Sequence, residues 1–288
     1  MGINNLPQRE EVLRRRRKAK RIKYAIIFGV CVFILGIISY LAHLPRVRIN
    51  EVVLTGGILV TEKEVKEESL KFMNGKYFFL FPKNNSFLYQ KSGLEEHLKD
   101  KFKRIDTIGV DSDGLNKLNI NITERKPIAI WCRENNEPVG TSTEIVVGFP
   151  KENCYFMDSM STIFAEAPNF SGDAYFKYYG LVEDSSPIGK KYIASSTEFV
   201  SINSFIQSVK ELKIKPVYLQ AKEEGEFSLF LQGGGQIFFD VRKPLDLSYQ
   251  NLETLLKSPE LAIKQGYLQV DYIDLRYGNK LFYKLKTL

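Results

Sequence analysis

A chain of 288 residues has room for about two domains, and its 44% hydrophobic and 26% charged residues describe a folded protein rather than a disordered one. The net charge of +7 sits at the start of the chain: residues 1–23 hold nine basic side chains (Arg9, Arg14, Arg15, Arg16, Arg17, Lys18, Lys20, Arg21, Lys23) and two acidic ones (Glu10, Glu11), while the remainder is balanced at 32 basic and 32 acidic. A nucleic-acid-binding domain carries a basic surface of its own, so no nucleic-acid partner is expected; two histidines and three cysteines are also too few for a multi-histidine or four-cysteine metal site, and no cofactor is expected.

Tyr24 to Leu44 is a run of 21 residues without Asp, Glu, Lys or Arg. At 1.5 Å per residue it reaches roughly 31 Å, about the thickness of a bilayer's hydrocarbon core. Gly29 and Gly36 are tolerated in such a helix, and Pro45 ends it. Residues 24–44 are therefore predicted to cross a membrane, once. The alternative is a cleaved signal peptide, but a signal's apolar region is only about 7–15 residues long and ends in a small-x-small site, which Ser39-Tyr40-Leu41-Ala42 fits poorly. Positive side chains stay in the cytoplasm, which places residues 1–23 inside and 46–288 outside. The basic tail then sets topology, with a second reading as a site of attraction for anionic lipid, at about 1 kcal/mol per basic residue near the surface.

Cys31 falls in the apolar run, as does His43, so only His97 remains for a Ser-His or Cys-His pair. Cys132 and Cys154 lie on the outer side, where disulfides form. Pairing them would close a loop of 22 residues and stabilise by roughly 3 kcal/mol in the chain-entropy model; the alternative is two buried free thiols.

Residues 46–124 read as a small α+β unit. Arg48 to Leu54 is a strand ending at Gly56-Gly57, and Thr61-x-x-Glu64 is a capping box opening a helix to about Met73. Ser92-x-x-Glu95 is a second capping box, opening a helix with Leu94, Leu98 and Phe102 on one stripe. Ile105 to Val110 is a strand, Asp111-Ser112-Asp113-Gly114 a turn, and Leu118, Ile120 and Ile122 alternate with polar residues in a further strand. The order strand, helix, helix, strand, strand directly after a membrane segment resembles a POTRA domain.

Residues 125–288 read as β-rich. Short apolar strands are predicted at Ile128–Cys132, Glu144–Val147 and Tyr155–Met157, with Trp131 as a core anchor. Ser195-x-x-Glu198 caps a helix from Ser196 to Leu212. Strands follow at Val217–Ala221, Phe227–Leu231 and Gln236–Asp240, the last two joined by a turn at Gly233-Gly234-Gly235, which lacks the Lys-Ser/Thr of a phosphate loop. A helix is predicted from about Ser248 to Ser258. Gln269 to Tyr277 is a strand with Ile273, Leu275 and Tyr277 on one face and Asp274 and Arg276 on the other. Gly278-Asn279 is a two-residue hairpin turn, and Lys280 to Lys286 returns with Leu281, Tyr283 and Leu285 on one face and Phe282 on the opposite one. A strand at the chain's end lies at a sheet edge, where its free N–H and C=O groups accept a partner strand; lysines on the same strand blunt that edge against aggregation.

Three local motifs carry a resemblance. Val52-Val53-Leu54-Thr55-Gly56-Gly57 is similar to a "V-x-V-x-G" opening strand. Ile120-Asn121-Ile122-Thr123-Glu124-Arg125-Lys126-Pro127-Ile128-Ala129-Ile130-Trp131 is similar to a "V-x-V-x-E-R-x-P-x-A-x-W" junction. Tyr272-Ile273-Asp274-Leu275-Arg276-Tyr277 is similar to a "Y-[IV]-D-L-R-Y" strand. Their order and spacing resemble the FtsQ/DivIB family of bacterial cell-division proteins over nearly the whole chain, least from Asn135 to Glu198. The resemblance implies an α+β chain with a basic cytoplasmic tail (1–23), a transmembrane helix (24–44), a POTRA-like βααββ domain (46–124) and a β domain (125–288) with a mixed sheet and packed helices. It further implies a non-enzymatic scaffold of the bacterial cytoplasmic membrane and division septum. Outside the membrane such a scaffold binds FtsB/DivIC-like and FtsL-like bitopic coiled-coil proteins, meets other divisome components and supports septal peptidoglycan synthesis. By motif, Arg276 is expected to pair with a partner carboxylate and Tyr277 to pack against the partner's apolar residues. Leu281, Phe282 and Tyr283 are added from their edge position.

Two other classes compete. Asp158-Ser159-Met160-Ser161 resembles the Ser-Met of membrane-anchored signal peptidases, with Lys190 or Lys191 as the base of a Ser-Lys pair; that family's flanking proline and glycine pattern is absent, and Tyr155 to Phe164 reads better as a hairpin. A POTRA-bearing export or assembly factor would carry several POTRA repeats or a β-barrel, neither of which the pattern shows.

Overall fold

In the computed structural model, which describes residues 6–133, 153–168, 174–182, 186–222, 225–258, 261, 263–264 and 267–286, the basic run and the apolar run form one continuous helix, α1 (Leu6–Ala42). It begins well before the expected Tyr24, because Arg and Lys are themselves good helix formers and extend the turn set by the apolar run. Its segment Leu13–Ala42 is long and apolar enough to cross a membrane, and its side chains are exposed almost throughout. The remainder is mixed α+β. The chain divides into two units, Met1–Phe102 with Thr107–Glu124, and Lys103–Asp106 with Arg125–Leu288.

In the first unit a short 3-10 turn at Pro45–Val47 leads into β1 (Glu51–Thr55) and α2 (Glu62–Phe72). A small hairpin, β2 (Lys76–Tyr77) and β3 (Phe81–Pro82), precedes α3 (Lys91–Lys101), β4 (Ile105–Asp113) and β5 (Lys117–Glu124). The sheet order is β1-β5-β4, with β1 parallel to β5 and Val52 opposite Leu118. The core is made by Val52, Leu118, Ile120 and Ile122 from the sheet, and by Val65, Leu94 and Leu98 from the helices. Period-2 and period-3.6 stripes thus meet where the sequence puts them.

The Thr61 capping box forms: Thr61 Oγ1 accepts the Glu64 N–H, and the Glu64 carboxylate accepts the Thr61 N–H at 3.1 Å. The second box does not. Helix α3 starts at Lys91 after Gln90, and the Glu95 carboxylate accepts the Val110 N–H at 3.0 Å, so a strand amide takes the group that the sequence pattern assigned to the helix end. Gly56 sits at φ +86°, and a Cβ there would lie 2.1 Å from the Ile122 carbonyl oxygen, so only glycine fits the end of β1.

The second unit is built on β6 (Ala129–Cys132), β7 (Cys154–Met157), β8 (Ile163–Glu166), β9 (Phe176–Tyr179), α4 (Ser196–Glu211), β10 (Pro216–Ala221), β11 (Glu226–Leu231), β12 (Gln236–Asp240), α5 (Leu245–Leu256), a small hairpin of β13 (Ile263–Lys264) and β14 (Tyr267–Leu268), β15 (Val270–Tyr277) and β16 (Lys280–Leu285). The predicted strand Glu144–Val147 lies outside the described residues. Nine strands make one mixed sheet in the order β16-β15-β12-β11-β10-β9-β6-β7-β8. β9, which the sequence reading did not include, lies parallel to both β6 and β10 and so joins the two halves of the sheet. Phe199, Ile202, Ile206 and Val209 of α4 and Leu252 of α5 share a core with Leu219, Leu229, Ile237, Phe239, Ile273 and Leu275 of the sheet. Trp131 is buried in the same core and donates Nε1–H to the Gly180 carbonyl at 2.9 Å.

Candidate functional site

The last two strands form a hairpin at one margin of the nine-stranded sheet. Gly278 adopts φ +65°, and Tyr277 faces Lys280 across the two-residue turn. The turn is held from behind by α5, whose Asn251 Nδ2–H donates to the Gly278 carbonyl at 2.7 Å. β16 bonds to β15 on one side, and among the described residues no further strand lies on its other side.

The two strands differ sharply in burial. β15 buries Val270, Ile273, Asp274 and Leu275, whereas in β16 only Leu281 is drawn toward the core, with Lys280 and the run Phe282–Leu285 exposed. A register shift between Asp274 and Tyr277 breaks the strict alternation expected of β15. Tyr277 lies opposite Lys280, and Phe282, two residues on, shares Lys280's face, so the Tyr277 and Phe282 rings meet edge-on at 5.4 Å. Tyr277 is 57% and Phe282 51% exposed, so the pair presents an aromatic surface beside the open edge. Tyr283 and Leu285 are exposed as well.

Arg276 is placed differently from the expectation that it reaches outward to a partner carboxylate. Its Nε donates to Asp274 Oδ1 at 2.9 Å, its Nη2 to Asp274 Oδ2 at 2.6 Å, and its Nη1 to Glu226 Oε2 on the neighbouring part of the sheet at 2.5 Å. Two carboxylates in the same chain therefore hold the guanidinium, and the side-chain bonds to Asp274, then those to Glu226, push its pKa up despite partial burial. The guanidinium also lies 5.2 Å from the Phe238 ring centre and 5.9 Å from that of Tyr277. The arrangement repeats one strand away: Arg242 Nε and Nη2 grip Asp240, each at 2.9 Å, and this holds the Asp240 carboxyl below its usual range. The shared Asp-x-Arg spacing at the ends of β12 and β15 was readable in the sequence; Glu226, 50 residues from Arg276, was not.

The junction motif also resolves into contacts. Glu124 Oε1 accepts the backbone N–H groups of Ile58, Leu59 and Val60 at 2.7, 2.7 and 2.9 Å, tying down the loop between β1 and α2. Arg125 pairs with the buried Asp158 and donates Nε–H to the Lys103 carbonyl at 3.1 Å. Two consecutive residues thus serve different units, each within its own.

Cys132 and Cys154 are joined in a disulfide, facing each other across β6 and β7, and Cys31 is free and exposed on α1. Arg14, Arg15, Arg16, Arg17, Lys18, Lys20, Arg21 and Lys23 are exposed along α1. Ser159 sits in the turn between β7 and β8, where Asp158 Oδ1 accepts the N–H groups of Met160 and Thr162, each at 2.8 Å. Lys191 Nζ donates to Ser196 Oγ at 3.1 Å. No cluster of three or more His, Cys, Asp or Glu that could hold a metal ion occurs among the described residues.

No family model matches this chain, and no curated protein matches it.

Proposed function

We propose that the chain is a non-enzymatic, single-pass membrane scaffold of the FtsQ/DivIB kind, with its two folded units outside the cytoplasm, and that it takes up an extended strand from a bitopic coiled-coil partner along β16. The observation that carries this reading is the open, exposed edge at β16, flanked by the Tyr277–Phe282 pair. Backbone N–H and C=O groups along that edge give a partner strand its affinity, and alternate side chains find the aromatic pair, Tyr283 and Leu285. Leu281 supports the hairpin from the core side. Because two carboxylates already neutralise Arg276, its part is to position the Tyr277 ring and stiffen the strand rather than to meet a partner's acid. The three motifs at the start, junction and end of the folded region support the family reading, and with it FtsB/DivIC-like and FtsL-like partners at the division septum.

The test is co-purification and titration of the full chain, in nanodiscs, with the small bitopic coiled-coil division proteins of its own organism. A Tyr277→Ala/Phe282→Ala double variant is expected to bind at least about tenfold more weakly, as removal of two aromatic anchors should. Undiminished binding by the double variant would move the interface off this hairpin. Failure of the unmodified chain to bind any such protein would remove the scaffold reading.

A further inference from the structure

Among the described residues outside α1, the hairpin of β2 and β3 in the first unit carries the two most exposed large apolar side chains. Phe78 is 88% and Phe79 93% exposed at its tip, beside an exposed Leu80. Both phenylalanines have positive φ, 47° and 61°, a conformation that bulky residues adopt only when their surroundings hold them there. The surroundings are the end of α1. Ser39 Oγ donates to the Leu80 carbonyl at 2.7 Å, and the buried Asn85 donates Nδ2–H to the Ala42 carbonyl at 3.1 Å, capping the helix's last turn. Ser86 N–H reaches the Val47 carbonyl at 2.9 Å, and the Ile49 N–H reaches the Asn84 carbonyl at 2.8 Å. The tip is therefore held against the end of the helix that is long and apolar enough to cross a membrane.

Its depth follows from the helix. Ser39 lies five residues before the end of the apolar run at Leu44, which is roughly 7–8 Å along the axis. That matches the depth of about 5–10 Å at which amphipathic elements settle between headgroups and acyl chains. Tyr40, exposed next to Ser39, is the kind of residue that marks this level. The backbone is suited to it too: Leu80 N–H bonds to the Tyr77 carbonyl at 3.0 Å and Leu80 C=O is taken by Ser39, so neither group enters apolar surroundings unpaired. Residues 74–90 contain two lysines, Lys76 and Lys83, and no acidic residue, which suits a surface of lipid phosphates. Lys83 Nζ rests 5.7 Å from the Tyr77 ring, at the base of the hairpin rather than its tip.

We infer that the Phe78-Phe79-Leu80 tip inserts into the outer leaflet of the bilayer beside α1, so that the first unit is fixed to the membrane at two points. This inference rests on the reading of α1 as a membrane span. The tip is the insertion point, the lysines stay with the headgroups, and the occupant of the exposed aromatic surface is lipid.

The test is site-directed spin labelling of the full chain in vesicles of phosphatidylcholine with a minor fraction of phosphatidylglycerol, comparing the accessibility of each label to oxygen and to an aqueous nickel chelate. Native Cys31 reports on the span. In a Cys31→Ser background, Phe78→Cys and Phe79→Cys, each leaving the other ring in place, report on the tip. Lys63→Cys, exposed on the first turn of α2 beside the far end of β1, reports on water. The expected result is a several-fold higher oxygen-to-nickel ratio at both tip positions than at Lys63→Cys, short of that at Cys31. Tip labels that behave like Lys63→Cys while Cys31 is deep would overturn the insertion and leave the span standing. Tip labels shielded from both reagents would overturn it in favour of a protein occupant. An aqueous Cys31 would remove the span and the insertion together.

Discussion

The two margins of the nine-stranded sheet are finished in opposite ways. At β8 the chain closes its own edge. Ile163 N–H bonds to the Lys190 carbonyl at 2.9 Å, Gly189 N–H returns to the Ile163 carbonyl at 2.7 Å, and Tyr192 N–H reaches the Ser161 carbonyl at 2.9 Å. Ile163 and Phe164 are accordingly buried. At β16 no such segment follows among the described residues, and the side chains stand in solvent. A sheet edge left in water invites pairing, and proteins cover or charge the edges they do not use. The lysines on and just after β16 meet that need only in part, since Lys284 is drawn to Asp271 at 2.9 Å and Lys286, the residue after the strand, to the Gly233 carbonyl. One margin is completed by the fold, and the other, among the described residues, is not.

The contrast can be broken most severely at the closed margin. Ile163→Ala empties a fully buried site in β8 and is expected to destabilise by about 2–5 kcal/mol, whereas Phe282→Ala at the open margin should stay within about 0.5 kcal/mol. Denaturant unfolding of the full chain in detergent measures both, and equal losses would make β16 as much a part of the core as β8. Next in size is Arg276→Ala. It strips the buried Asp274 carboxylate of its cation and should lower stability by about 1–3 kcal/mol. Arg276→Lys should recover only part of that, since an ammonium cannot grip both oxygens in a fork.

A third test uses pH on the neighbouring strand. Arg242 holds the Asp240 carboxyl below its usual value, so the folded state binds that proton less readily than the unfolded chain does. The stabilisation is complete above the unfolded carboxylate range, near pH 4, and is lost as pH falls through the lower folded value. Arg242→Met should flatten this acid limb in denaturant midpoints taken downward from pH 6. The smallest effect belongs to Lys284→Ala, which removes an exposed ion pair and should leave the unfolding midpoint unmoved. Amide exchange sharpens the same contrast: β8 should exchange only with global unfolding, while amides on the outer side of β16 exchange freely until a partner strand protects them.

What the sequence disclosed and what it hid divide along physical lines. The β15–β16 hairpin was legible within a residue or so at each end, because alternation and a glycine turn are local signals; so were α4 and the Thr61 cap. β9 was not legible, since Phe176-Lys177-Tyr178-Tyr179 shows no clean alternation and its partners, β6 and β10, lie far along the chain. The failed cap at Ser92 has the same cause, as a strand amide at Val110 competes for Glu95. At the candidate site, exposure of Phe282 and Tyr283 followed from edge position, but the in-chain pairing of Arg276 depended on Glu226 of β11, with β12 lying between the two strands. The meeting of Tyr277 and Phe282 follows from the two-residue turn, which sets Tyr277 opposite Lys280 and so on the face of Phe282.

The bond between Cys132 and Cys154 closes residues 133–153 into a covalent ring with β6 and β7 as its base. A protease that cuts anywhere in that ring severs the backbone without releasing a fragment. The cut molecule keeps its nine-stranded sheet connected, migrates as one species without reductant and separates into two with it. Damage at this place becomes a nick rather than a loss.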